Sequence, residues 1–225
     1  MVRGWRLRQV RRLSGFALLA LTLAATSSCA LVSSIRGAPP LFAGGPSVQQ
    51  FDFEEGALHA PPEGFEARLG HWAIADSPTA ASGNQVLVRD GDGAAMLVVK
   101  DAEGVSAAAG EVSVRVFLGA SGAGISCDAG QKVGYSLKLE PEAARIALYR
   151  RTADVTTLVD HVSTSVPKGE WARIGIRCDS DRVVGYLDGK PVVKARGSIA
   201  EFDLALYADP GVAVQFDDLK FWASR

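Results

Sequence analysis

The chain is poor in the residues that make an enzyme easy to read. It holds three histidines and three cysteines in 225 residues. His59, His71 and His161 are scattered, with no second His or Cys at i+2 or i+4 and no H-E-x-x-H, so the common zinc-hydrolase arrangement is excluded. There is no G-x-S-x-G, which removes the serine elbow. A triad assembled in space stays open, but no motif points to one. No long apolar stripe at helical period occurs. No apolar run reaches the roughly 20 residues needed to cross a bilayer as a helix. Basic charge is scarce as well, and unevenly placed. Five of the 24 Lys and Arg fall before residue 29 with no acid among them, so the remaining 19 face all 25 acids, a balance of −6. An acidic body does not attract phosphate backbones, and nucleic acid is excluded as a natural partner.

What is present begins with a leader. Arg3, Arg6, Arg8, Arg11 and Arg12 precede the apolar FALLALTLAA (Phe16 to Ala25), and small residues follow, as in an export signal. In TSSCALVSS (Thr26 to Ser34) the small residues stand directly before Cys29. This resembles the lipobox of bacterial lipoproteins, with Thr26 where an aliphatic is usual. The resemblance implies a lipid on Cys29 after removal of residues 1–28, and Ala30 implies sorting to an outer membrane or the cell surface. Ordinary cleavage, giving a periplasmic or secreted protein, is the alternative. Lipidation leaves an even number of cysteines behind. Residues 29–47 are rich in Pro, Gly and Ser and read as a tether. Residues 48–225 then form one domain.

From residue 48 the apolar period is two. Val112, Val114, Val116 and Leu118 share a face, opposite Ser113, Arg115 and Phe117. Val133, Tyr135, Leu137 and Leu139 alternate with Ser136, Lys138 and Glu140. Ile146 and Leu148 alternate with Arg145, Ala147, Tyr149 and Arg151. Ala172, Ile174, Ile176 and Cys178 alternate with Trp171, Arg173, Gly175 and Arg177. Asp188-Gly189 marks a hairpin between two further runs. More strands are predicted at HWAIAD, QVLVRD, AMLVVK, VTTLVD, LALYAD and VAVQFDDLKFW. Many short antiparallel strands with one buried face give an all-β, two-sheet sandwich.

The order of these signals resembles the concanavalin A-like, laminin-G-like jelly rolls of bacterial secreted proteins, including the 3-keto-disaccharide hydrolase-like group. The matching stretches are FDFEEG (Phe51 to Gly56), PPEGF, GHWAIAD, GAGIS (Gly122 to Ser126), GYSLKL, GEWARIGIRC, VVGYLDGKPV and FDLALYADPGVAVQFDDLKFW. They span nearly all of residues 48–225. The resemblance implies a jelly-roll sandwich whose concave sheet docks sugars on an aromatic ring, with Arg spanning hydroxyls. Relatives carry an aromatic or Arg after the GAGI-type strand, where this chain has Ser126-Cys127-Asp128.

The candidate chemistry is sparse. Cys127 and Cys178 both fall on core-facing sides, and export favours a disulfide over two buried thiols. Arg115, Tyr149, Arg151, Arg173 and Arg177 point away from the core by parity. Arg115, Tyr149, Arg173 and Arg177 are the candidate glycan contacts, and cross-strand charge pairing is the equal alternative. Glu140 and Glu142 flank Pro141 and are the best-placed pair for glycoside cleavage, although turn acids are usually only solvated. DGDG (Asp90 to Gly93) reads as a hairpin turn rather than the start of a calcium loop.

FDFEEG has an echo in QFDDLKFW (Gln215 to Trp222). First and last strands are expected side by side, their aromatics sealing one end of the core. Parity puts Phe216 with Asp218 and Asp217 with Leu219. Asp52, Glu54, Asp217 and Asp218 would then gather, and a structural calcium is one way to hold them, with solvated acids as the other. Three functions follow: an exported, tethered glycan-binding module without catalysis, a carbohydrate-active hydrolase, or a structural envelope lipoprotein.

Overall fold

The computed structural model describes residues 48–99, 109–119, 122–127, 133–153, 155–166, 168–199, 204–211 and 214–224. The leader, Cys29 and the tether lie outside the described residues, as does Asp128. Among the described residues period-two alternation becomes fifteen strands: β1 (Gln49–Phe51), β2 (Phe65–Leu69), β3 (His71–Asp76), β4 (Gln85–Asp90), β5 (Ala95–Val99), β6 (Ala109–Leu118), β7 (Ala123–Ser126), β8 (Val133–Glu140), β9 (Arg145–Thr152), β10 (Thr156–Ser163), β11 (Trp171–Cys178), β12 (Arg182–Leu187), β13 (Lys190–Arg196), β14 (Ala205–Ala208) and β15 (Val214–Ser224). Sheet I runs β13-β12-β11-β6-β15-β4-β3, with β1 added on β15. Sheet II runs β10-β9-β8-β7-β14-β5-β2. Every pairing between strands is antiparallel.

The two sheets share one core. Val112, Val114 and Val116 of β6 and Ile174 and Ile176 of β11 meet Ile125, Leu137, Leu139, Ile146 and Leu148 of sheet II, all fully buried. Each such side chain contributes about 1.5–3 kcal/mol of transfer free energy. A disulfide joins Cys127, just past β7, to Cys178, the last residue of β11, with Cα atoms 6.7 Å apart, and so ties sheet II to sheet I. The β12–β13 turn has positive φ at Asp188 (48°) and Gly189 (75°), as a two-residue hairpin requires. This is a jelly-roll sandwich of concanavalin A-like form.

The echo is architectural. β1 pairs with β15, with Phe51 opposite Leu219. Phe51 stacks on Phe221 at 6.0 Å and meets Phe65 edge-on at 5.0 Å, while Phe53 lies 6.1 Å from Phe65. The parity expected in β15 is wrong, and a bulge is the reason. The register against β6 shifts between Asp217 and Lys220, and Asp218 has φ 50°. Phe216, Leu219 and Phe221 therefore all enter the core, and Asp217 and Asp218 both turn to Ser82 on the other side. DGDG is not a hairpin turn either. It carries the chain from β4 in sheet I to β5 in sheet II. Buried Arg89 pins that crossing by donating to the carbonyls of Gly93 and Gly211.

Candidate functional site

The four candidate glycan contacts do not share a surface. Core residues alternate with them on β6, β11 and β9, so Arg115, Arg173 and Arg177 project from the outer face of sheet I, while Tyr149 projects from the outer face of sheet II. The sandwich stands between. Period two tells inside from outside, but not which of the two outsides.

On sheet I the charges answer one another. Asp218 takes Arg115 Nε at 3.0 Å and Arg173 Nη2 at 3.2 Å. Burial, and then the neighbouring Arg115 charge, pull the Arg173 guanidinium below its ordinary value. Arg177 pairs with fully buried Glu111 and with Asp179 (2.9 Å), and lies over the Trp222 ring. The Trp222 indole donates to the other Glu111 oxygen at 3.0 Å. Burial, then the Glu111 charge, push the nearby Tyr186 phenol up to about 12. The 77–84 segment crosses this face. Ser82 N donates to Asp217 (2.8 Å), Ser82 Oγ donates to Asp218 (2.9 Å), and the Trp171 indole donates to the Thr79 carbonyl.

The proposed calcium ligands have partners of the same kind. Glu54 accepts from the backbone N–H of Asn84 (3.0 Å) and Gln85 (2.8 Å). Asp52 accepts from Glu54 N at 3.3 Å. Asp217 accepts from Ser82 N and Asp218 N. Among the described residues no three acidic, His or Cys side chains converge on one point. Loop N–H groups and the guanidiniums of Arg115 and Arg173 face these carboxylates.

The outer face of sheet II differs. Ser126, Ser136 and Tyr207 lie on it, from β7, β8 and β14. A hollow of about 160 Å³ opens between them, also lined by Met96 and Arg151. The Tyr207 ring lies across β7 because position 124 is glycine. A Cβ there would stand 2.3 Å from the Tyr207 oxygen and 2.2 Å from the Leu137 carbonyl oxygen. The Tyr207 hydroxyl donates to that carbonyl at 3.1 Å, and burial pushes its phenol well above the ordinary value. Ser126 is 7% exposed, and its buried Oγ has no hydrogen-bond partner among the described residues. An unmet buried hydroxyl costs about 1–3 kcal/mol, which a bound group could recover.

Further along β8 a second hollow of about 270 Å³ is lined by Lys138, Glu140, Glu142, Arg145 and Asp209. Ser136 and Glu140 are four residues apart on one face of β8, about 13 Å of strand, so the two hollows follow one another along the same outer face. Lys138 Nζ bridges Asp209 (2.8 Å) and Glu140 (3.6 Å). Tyr149 donates to Glu140 at 2.7 Å, Arg145 pairs with its other oxygen, and Arg145 Nη2 donates to the Tyr149 oxygen at 3.0 Å. Burial raises the Glu140 carboxyl, but the hydrogen bonds from Tyr149 and Arg145 and the charges of Arg145 and Lys138 outweigh it, and the group is held below its usual value. Glu142 is exposed in the turn beside it.

No protein-family model and no curated protein sequence matches the chain. Solved structures do match, in fold. An apo Crh5 transglycosylase superposes with TM-score 0.57 at 12% identity, over 84% of this chain and 89% of that one. The β-glucanase of Bacillus licheniformis gives TM-score 0.54 at 8% identity, over 80% and 99%. A GH43 glycoside hydrolase gives 0.58 at 11% identity over 84% of this chain, which spans 43% of its length. The class is thereby set: a jelly-roll β-sandwich, similar in fold to a transglycosylase, a β-glucanase and a glycoside hydrolase.

Proposed function

We propose that the protein is an exported, membrane-tethered glycan-binding module that performs no catalysis, with the outer groove of sheet II as its platform. One observation carries this reading. Among the described residues the buried Ser126 hydroxyl lacks a partner, at the foot of a hollow walled by the Tyr207 ring. Aromatic faces take sugar rings, and a desolvated hydroxyl waiting for a partner gives direction. The names of two structures of similar fold, a transglycosylase and a β-glucanase, support the choice of ligand class.

Hydrolysis is the weaker reading. Cleavage by two carboxylates needs one kept protonated as the acid. Glu140 is biased the other way, toward its charged form. The tether rests on sequence: the leader and Cys29 support a lipid anchor on an outer membrane or cell surface.

A glycan array tests the ligand. Wild type should bind, and Tyr207→Ala or Ser126→Ala should weaken binding about tenfold or more with the melting transition retained. Silence on every glycan would favour a structural envelope role, and turnover of a bound glycoside would favour the hydrolase. For the anchor, wild type should enter the detergent phase and Cys29→Ser should not. Identical behaviour in the aqueous phase would end the lipoprotein reading.

A further inference from the structure

Resting on that reading, we infer that the glycan carries an acetyl group, seated in the smaller hollow with its methyl against Met96 and the Tyr207 ring and its carbonyl oxygen on Ser126. Strand pairing sets Tyr207 opposite Met96 on one side and Gly124 on the other. Met96 packs on Val98 and Ala205, a small apolar cluster separate from the main core. A thioether chain and an aromatic ring therefore wall the hollow. Its polar side chains are largely engaged. The Tyr207 hydroxyl donates to the Leu137 carbonyl, and Ser136 is hydrogen-bonded to Tyr207. Arg151 has interactions of its own within the chain. Among the described lining residues, that leaves Ser126 as the buried hydroxyl with nothing to bond.

Apolar walls around an open hydrogen-bonding position suit a guest of the same make. A bare sugar hydroxyl can pair with Ser126, which both donates and accepts, but it brings nothing for Met96 and the ring to cover. Further hydroxyls would lose water against groups that cannot bond them, and an amine or a carboxylate would bring a charge there. The methyl of a deoxy sugar covers the walls and leaves Ser126 unmet. An acetyl group has both halves, a methyl to bury and a carbonyl oxygen that accepts from Ser126. Size agrees. About 160 Å³ holds roughly five waters at about 30 Å³ each, room for an acetyl group and its linking atom but not for a whole hexose. The larger hollow is of the opposite make: Lys138, Glu140, Arg145 and Asp209 line it, and sugar hydroxyls find donors and acceptors there.

An acetyl amide and an acetyl ester supply the same chemistry, so both enter the test. An array carrying N-acetylated, O-acetylated and unacetylated glycans is probed with the mature protein. The strongest acetylated binder is then compared by calorimetry with the counterpart that has a bare hydroxyl at the same position. That counterpart should bind roughly tenfold or more weakly, for want of the buried methyl and the carbonyl hydrogen bond. Met96→Ser should erase most of that preference, and Ser126→Ala should reduce it. Mild alkali strips esters and spares amides. Binding lost after it identifies the ester and binding kept identifies the amide, and either upholds the inference. Equal or higher affinity for the hydroxyl counterpart overturns the inference, and glycan binding still stands if Tyr207→Ala weakens both. A preference untouched by either variant also overturns it. Binding to no glycan overturns both readings. Should Met96→Ser fail to fold, Ser126→Ala, the smaller change, decides alone.

Discussion

The two outer faces of the sandwich use similar residues to opposite ends. Sheet I spends its arginines on its own acids: Arg115 and Arg173 on Asp218, Arg177 on Glu111 and Asp179. The 77–84 segment then crosses over it. Sheet II carries two hollows along β7, β8 and β14, and among the described residues a hydroxyl beside the smaller one is left without a partner. A polar strand face is therefore no guide to a binding surface until its partners are known. Charges that close on one another hold a fold together, and groups left unmet are where a ligand can gain free energy.

The sharpest way to break this comparison is to remove a buried anchor from sheet I. Glu111→Ala leaves Arg177 partly unpaired and the Trp222 indole without its acceptor. It should cost about 3–5 kcal/mol in urea unfolding, as breaking a buried pair does. Glycan affinity should be unchanged at temperatures where the variant is folded. A loss below about 1 kcal/mol would mean that the face is not the structural one.

On sheet II the ordering should reverse, with function lost more than stability. Gly124→Ala puts a methyl into the Tyr207 ring and the Leu137 carbonyl. The ring must lift. Overpacking of this kind costs about 1–3 kcal/mol, while binding should fall about as far as in Tyr207→Ala. Retained affinity would show that the ring position is not used.

The smallest expected effect compares one carboxylate from each face. Glu140, on sheet II, has a folded-state pKa below its usual 4.5. Its network adds stability above about pH 4.5 that is lost as pH falls through the folded value. Asp217, on sheet I, is raised above 3.8, by burial first and then by the Asp218 charge against its hydrogen bonds. Its contribution is fullest below that value and is lost as pH rises through the folded pKa. The penalty of Glu140→Gln should therefore shrink as pH drops from 7 toward 3, and that of Asp217→Asn should shrink as pH rises. Urea midpoints across this range check both signs. Parallel curves for the two variants would refute the assignment.

Strand residues gave the fold away because period two is local. A β-strand's side chains alternate whatever lies beyond it, so Val112 to Leu118 and Ile174 to Cys178 could be turned inward from sequence alone. The inward parity of Cys127 and Cys178 made their disulfide legible in the same way. The pairing of the first strand, which ends at Phe51 of FDFEEG, with the last strand followed from the expected topology.

Three things were not local. The first is the sheet to which each strand belongs. Arg115 and Tyr149 are both outward, yet the pairing of β6 with β11 and β15, and of β9 with β8 and β10, sends them to opposite sides. The second is the bulge at Asp218, where one left-handed residue resets parity and turns two acids toward Ser82. The third is the groove itself. Tyr207 sits in LALYAD as an ordinary alternating residue, and Gly124 sits in GAGIS as an ordinary strand glycine. Only the β7–β14 pairing, which sets Tyr207 opposite Gly124, makes one the bed of the other and leaves Ser126 beneath with nothing to bond. Alternation of side chains is a property of one strand, and sequence determines it. Which strands lie side by side is chosen by burial summed over the whole core, and only the folded chain decides that.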